Sequence, residues 1–298
     1  MESDERKSYE KAGAIFKEVK SFALKKVKPG IGFLELADSI ENKIIELGGK
    51  SAFPVNLGIN DIAAHFTPSS NDSFVLEESM LLKIDFGVHI NGFVADGAFS
   101  VNFDNNYAKL IEASESALNN VASSLKVGVE IGALGKIIED TIKDKGFNPI
   151  FNLSGHGVSQ YVCHCEPTIP NYNNNNPNLI EEDMTIAIEP FATSGKGFIK
   201  ESGSAEIFET LEPKQVRNIY ARKILNFILE EYKDLPFALR WVERDLKLSE
   251  FQLKVGMREL IHNRCLKSFP VLKEITSAPV SQNEKTFIFD GSELIIIN

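Results

Sequence analysis

The chain has 298 residues, of which 43% are hydrophobic, and its 42 acidic side chains outnumber 32 Lys and Arg for a net charge of −10. That supports a sizeable core in one large domain or two smaller ones, and the acidic balance excludes the basic footprint of direct nucleic-acid binding. No run approaches the roughly 18–20 apolar residues of a membrane helix, the opening MESDERKSYEK lacks the apolar stretch of a secretory signal, and three cysteines make no even disulfide framework, so the expectation is a cytoplasmic protein in a reducing compartment.

In chain order, residues 7–27 read as an amphipathic helix, with Ile15, Val19 and Phe22 at helical spacing and Pro29-Gly30 as its stop. Residues 33–47 read as a second helix closed by Gly48-Gly49. A hairpin follows: Leu81–Ile90, a turn at Asn91-Gly92, and a return over Phe93–Phe103. Further helices are expected at 106–125 and 132–145, the latter ended by Gly146. NYNNNNPN, 171–178, reads as a loop with no obvious chemistry. Val216–Glu231 and Leu248–Asn263 read as helices separated by LPFALRWV, and the block 207–275 is taken as a helical subdomain inserted into a single domain, 1–298. TFIFD and ELIIIN form a closing pair of strands.

The order helix, helix, strand occurs twice. At an offset of 100, Val27/Val127, Ile31/Ile131, Gly32/Gly132 and Leu34/Leu134 match, and Leu82-Lys83-Ile84-Asp85 has an echo in Ile186-Ala187-Ile188-Glu189. Each half places an acid directly after an isoleucine at the end of a strand motif. The reading is a duplicated α+β unit whose halves face their acids across a shared cleft.

Two aspartates inside the hairpin carry the chemistry. With Asn91-Gly92 at the turn, Ile90 faces Phe93 and Asp96 lies opposite Gly87, so Asp85 falls diagonally across from Asp96 on the same face. Such diagonal pairs lie roughly 7–8 Å apart. Two carboxylates in one apolar space repel each other, and burial pushes them toward the neutral form. A cation between them resolves both problems; a turn or an ion pair with Lys or Arg is the structural alternative. Glu189 in TIAIEPFA is costly in such a run unless paired or metal-bound, although alternation also allows an outward-facing strand residue. Glu284 in VSQNEKTFIF by itself reads as a surface acid. His156 sits between glycines in NLSGHGV, which lets the backbone approach a site. VCHCEP is rejected as a zinc motif: alternation puts Cys163 and Cys165 on one face of a strand and His164 on the other, and Cys265 has no neighbouring partner. His164 and His65, the latter in AAHFTP, remain candidates near a site. His89 reads as an ordinary sheet residue and His262 as a helix-surface one.

Taken together and in order, KIDFGVHINGFVADGAF, NLSGHGVSQYVCH, IAIEPFATSGKG, LPFALRWV and VSQNEKT resemble the methionine aminopeptidases over nearly the whole chain. The helical block between Glu189 and Glu284 is similar to the insertion of the type II enzymes, and the lack of a long charged N-terminal extension resembles the archaeal form. The resemblance implies the α+β pita-bread fold, two pseudo-symmetric α/β halves. It implies that Asp85, Asp96, His156, Glu189 and Glu284 hold two divalent metal ions (Co²⁺, Mn²⁺, Fe²⁺ or Zn²⁺), with Asp96 and Glu284 bridging. It further implies that Glu189 also shuttles a proton to the leaving amine, that His164 contacts the scissile amide, and that His65 places the substrate. Phe53 and the insertion are expected to contribute to an apolar methionine pocket.

The implied activity is removal of the N-terminal methionine from nascent polypeptides with a small second residue, by a monomer. A ribosome contact through the insertion is permitted by its lysines and arginines, but interleaved acids favour a solvated face. The sequence departs from the family at Lys285, where EHT is usual, and at Cys165-Glu166, where HAG is usual; Lys285 is expected to point away from the ligands. Two other readings stay open: a Xaa-Pro dipeptidase-like hydrolase, and a non-catalytic binding protein on the same fold.

Overall fold

A computed structural model describes all residues, 1–298. Seven helices punctuate the chain: α1 (Ser3–Lys26), α2 (Phe33–Glu46), α3 (Ala108–Ser124), α4 (Ile131–Asp144), α5 (Ile219–Glu231), α6 (Leu239–Leu246) and α7 (Glu250–His262). α2 shows why they form: Phe33, Leu36, Ala37, Ile40 and Ile44 recur every three or four residues and are all buried. No helix is long and apolar enough to cross a membrane.

The hairpin expected from the sequence forms with the expected register. Leu82–Ile90 pairs antiparallel with Phe93–Val101, Ile90 lies opposite Phe93, and Gly87 opposite Asp96. Asn91 and Gly92 both have positive φ, as a type I′ turn requires. The other edge of Leu82–Ile90 takes Asn56–Ile59 and Lys50–Ser51. α1 packs on this sheet, with Phe16 stacked on Phe86 at 4.3 Å between ring centres. The second half is built likewise. α3 and α4 cover a five-stranded sheet ordered Glu293–Ile296, Lys285–Asp290, Thr185–Ile188, Ser154–Ser159, Val162–Pro170.

The duplication is visible in backbone detail, at a register two residues away from the one read in the sequence. Gly30 and Leu76 are joined as Gly128 and Ile180 are: each glycine N–H donates to its partner's carbonyl. In both cases the residue after the glycine accepts in return, Ile31 from Leu76 and Val129 from Ile180. Gly30 and Gly128 share a left-handed φ, and α2 and α4 start directly after these bridges. The anchor of the repeat is therefore the glycine, Gly30 with Gly128. Burial supports the same anchor: Phe33, Leu36, Ile40 and Ile44 correspond to Ile131, Leu134, Ile138 and Ile142, all buried, whereas the identities at an offset of 100 set them against exposed positions.

The halves are stitched at Lys285–Asp290. Phe287 and Phe289 enter the core around α3 and α4, whereas Ile288 enters the core around α1 and α2. Alternation along one strand thus feeds two cores.

The block 207–275 holds α5, α6 and α7 on their own apolar cluster, which includes Ile224, Phe237, Trp241 and Leu260. It is not helical throughout. Long strands Ile199–Thr210 and Leu266–Glu274 pair with each other and bracket the helices, and the pair Phe237–Ala238 inside LPFALRWV adds to their edge. The alternation of LKSFPVLKE carries this strand signal, which helix-rich surroundings obscure. The NYNNNNPN loop also has a physical role: Asn173, Asn174 and Asn176 side chains each accept the backbone N–H two residues on, so the segment satisfies its own polar groups.

Candidate metal centre

Seven side chains singled out from the sequence line one cavity: His65, Asp85, Asp96, His156, His164, Glu189 and Glu284. They arrive from both halves. The first hairpin brings Asp85 and Asp96; the second half brings His156 and His164 from neighbouring strands, Glu189 at the end of Thr185–Ile188, and Glu284 just before Lys285–Asp290.

Asp96, His156 and Glu284 form the tightest group, each offering a ligand atom within 4.8 Å of the others. His156 Nε2 lies 3.8 Å from Asp96 Oδ2, 4.0 Å from Glu189 Oε1 and 3.9 Å from Glu284 Oε1. Its Nδ1 lies 3.2 Å from the Gly157 carbonyl. A carbonyl only accepts, so Nδ1 carries the hydrogen and the Nε2 lone pair points at the carboxylates. Asp85 and Glu189 are linked through Gln282, whose amide donates to Asp85 Oδ2 at 3.4 Å and to Glu189 Oε2 at 3.3 Å.

The four carboxylates have no Lys or Arg partner; the sole basic group within ion-pair distance of any of them is His156. The ion-pair explanation for the buried aspartates is thereby excluded. Burial pushes the Asp85 carboxyl up to about 7. Asp96 is raised by burial and then by Asp85, and Glu189 and Glu284 are raised by burial and by the surrounding carboxylates. Burial lowers His156 to about 4, which keeps its imidazole neutral. Asp85 Oδ1, Asp96 Oδ1 and Glu284 Oε1 are buried without a hydrogen-bond partner. Such orphans are rare and costly. Clustered anionic oxygens with one neutral imidazole nitrogen form a donor set that fits first-row divalent cations.

Glu284 is 4% exposed, so the reading of this residue alone as a surface acid fails; its N–H donates to the Ala98 carbonyl, which draws the segment beneath the hairpin. The Asp96 backbone is held in turn by Thr286, whose Oγ1 accepts from Asp96 N at 2.8 Å and lies 2.9 Å from Asp96 O. His164 sits at the exposed mouth, its ring centre 4.3 Å from that of His156. His65 is in the left-handed region at φ 63, its Nδ1 3.2 Å from the Pro270 carbonyl; burial lowers it to about 4. Lys285 faces Lys20 of α1, whose ammonium is lowered by burial and by Lys285, and does not line the cavity. Cys163 is buried near the Ala52 carbonyl, remote from Cys265 in the inserted block.

Sequence reasoning missed Gln282, although it lies inside VSQNEKT; a buried amide two residues before a candidate ligand is the signal. It also missed the apolar walls Ile207, Pro236 and Phe269, which join Phe53 around the cavity. Only the pairing of Ile207 with both Ala238 and Phe269 brings these together.

Residues 6–212 match metallopeptidase family M24, and the chain belongs to that family. Among curated proteins it is 44% identical to a methionine aminopeptidase of Pyrococcus horikoshii, over 96% of each chain. It is 42% identical to one of Archaeoglobus fulgidus, over 99% of each. The methionine aminopeptidases of archaea are thus the branch of the family that this chain resembles. Solved structures agree on the fold. A methionine aminopeptidase of Thermotoga maritima superimposes with a TM-score of 0.71 at 17% identity, covering 100% of this chain and 97% of its own. A structure described as a thermophilic Arx1 gives 0.87 at 16% identity, covering 100% and 91%. The two facing halves are the pita-bread fold.

Proposed function

We propose that the chain is a methionyl aminopeptidase that releases the N-terminal methionine of nascent polypeptides with a small second residue. One observation carries the reading: four carboxylates, Asp96 and Glu284 buried and Asp85 and Glu189 half-buried, converge on one neutral imidazole with no Lys or Arg partner and with three orphaned oxygens. The near full-length likeness to methionine aminopeptidases supports the substrate class.

Asp85, Asp96, His156, Glu189 and Glu284 would hold two divalent ions, Mn²⁺, Fe²⁺, Co²⁺ or Zn²⁺. Such ions supply an acidified water and polarise the scissile carbonyl. The chain's own groups do the rest. Glu189 would take the proton given up by the attacking water and pass it to the leaving amine. Gln282 fixes the Glu189 carboxylate from the side away from the substrate. His164 at the mouth hydrogen-bonds the scissile amide. His65, with Nδ1 engaged by Pro270, turns Nε2 toward the cavity and orients the substrate backbone. Phe53, Ile207, Pro236 and Phe269 exclude water from the methionine side chain.

The test is a peptide assay on metal-stripped protein reconstituted with each metal separately, offering Met-Ala-Ser, Met-Leu-Ser and a Xaa-Pro dipeptide. Metal-dependent release of methionine from Met-Ala-Ser alone is expected. Cleavage of the Xaa-Pro substrate instead would move the chain to the dipeptidase branch.

A further inference from the structure

Far from the carboxylates, a buried charged pair joins the inserted block to the first half. Glu41 of α2 and Arg240 of α6 are 5% and 6% exposed, and the Arg240 Nη2 donates to Glu41 Oε1. Arg240 Nε is buried without a hydrogen-bond partner and lies 3.8 Å from Asp38 Oδ1; the other polar atoms of the pair are engaged. Glu41 Oε2 accepts from Trp241 Nε1 at 2.8 Å, and Glu41 Oε1 accepts from Val55 N at 3.2 Å. Arg240 Nη1 donates to Thr67 Oγ1 at 2.7 Å and to the Pro68 carbonyl at 3.2 Å. Thr67 Oγ1 donates onward to the Val55 carbonyl at 2.8 Å.

The connections matter because of what each partner adjoins. Thr67 is two residues beyond His65, whose left-handed backbone needs a constraint on both sides. Pro270 holds the ring on one side; on the other, the Phe66 carbonyl accepts from Leu57 N at 2.7 Å, and Thr67 and Pro68 are the points at which side chains from the inserted block take hold of the loop. Val55 precedes Asn56, which lies opposite Asp85 in the sheet. Arg240 follows Pro236 by four residues, through the pair Phe237–Ala238 that registers against Ile207 and Phe208. One guanidinium therefore spans the histidine loop, the strand beside Asp85, and the wall that the insertion contributes to the cavity. A buried pair used for stability alone would do as well as apolar packing; a planar fork with defined partners fixes distance and angle instead.

We infer that Arg240, through Thr67 and Glu41, is a positioning residue that sets the spacing between the insertion-derived pocket wall and His65, and so the affinity for the substrate's first residue. The inference rests on the peptidase reading above. It assigns the insertion a specific task, to present Ile207 and Pro236 at a fixed distance from the carboxylates.

The experiment compares wild type, Arg240→Lys and Thr67→Val. Lysine keeps the charge but cannot serve three acceptors in a plane, and valine keeps the shape of threonine while removing the hydroxyl that Arg240 engages. KM for Met-Ala-Ser is expected to rise about tenfold or more in each, with a smaller change in kcat. Mn²⁺ affinity measured by calorimetry is expected to stay within about twofold, since no ligand is touched. The rise in KM in the double variant should be smaller than the product of the two single effects, because Arg240 and Thr67 share a contact. Hydrogen exchange gives a readout independent of turnover: amides over 62–70 and 233–242 should loosen together in Arg240→Lys, with the hairpin 82–101 unchanged. Folded variants with wild-type KM and exchange would overturn the inference, as would a fall in Mn²⁺ affinity parallel to the loss of activity. A wild type that releases no methionine would overturn the peptidase reading, whereas coupled loosening of the two segments would still report the clamp itself.

Discussion

Asp85 shows how one side chain links burial to pH. Its ordinary carboxyl value of 3.8 is pushed up to about 7 by burial in the metal-free protein. A raised folded-state value means the native state binds the extra proton, so this contribution to stability is complete below about pH 4 and is lost as pH rises through about 7. In chelator, urea unfolding of the wild type should therefore weaken between those limits relative to Asp85→Asn, which lacks the titration. A pH dependence identical in the two proteins would show that Asp85 is not held in the protonated form. His164 belongs to the same scale but not to the ligand group. His164→Ala should lower kcat/KM for Met-Ala-Ser by roughly 10²-fold while metal content, read by elemental analysis, stays at the wild-type level; lost metal would make His164 a ligand.

The strand Ser154–Ser159 explains why His156 is flanked by glycines. A methyl at Gly155 would meet the Ala187 carbonyl, and one at Gly157 the Glu166 carbonyl, because this strand is squeezed between two neighbours, its register shifting against Val162–Pro170. Gly157→Ala should cost about 2–3 kcal/mol of stability and weaken metal binding by moving the imidazole, which denaturant titration and metal titration would read separately. Elements of this kind divide what was legible in the sequence from what was not. The hairpin with Asp85 and Asp96 could be placed residue by residue, since an Asn-Gly turn and a period of two leave one register. α2 and α4 were likewise set by apolar spacing and terminal glycines. Ile199–Thr210 and Leu266–Glu274 were not, because they pair with each other across the segment that holds α5, α6 and α7, and no local rule names a distant mate. The burial of Glu284 was hidden for the same reason: its environment is supplied by Ala98 and His156, far away in the chain.

Across the whole molecule, the centre draws ligands from two halves that also meet in the cluster of Phe53 and Val94 with Val158 and Ala187, so metal and fold should stabilise each other. At a metal concentration one hundredfold above Kd, linkage contributes about 2.7 kcal/mol, and chelation should lower Tm by roughly 4 °C for a chain of this size. A Tm insensitive to chelator would show that the halves hold together without help from the site. The division of ligands between the halves also sets an order in time. During synthesis Asp85 and Asp96 leave the ribosome early, on a hairpin whose α1 and α2 partners are already made, while Glu284 follows some ten to forty seconds later at roughly 5–20 residues per second. Until then the two aspartates remain open to water and carry no burial cost. Asp85 and Asp96 face each other from the start, but burial joins their repulsion, and Glu284 adds to it, only when the last strands close over them, which makes completion of the chain, rather than formation of either half, the moment at which the need for a cation is greatest.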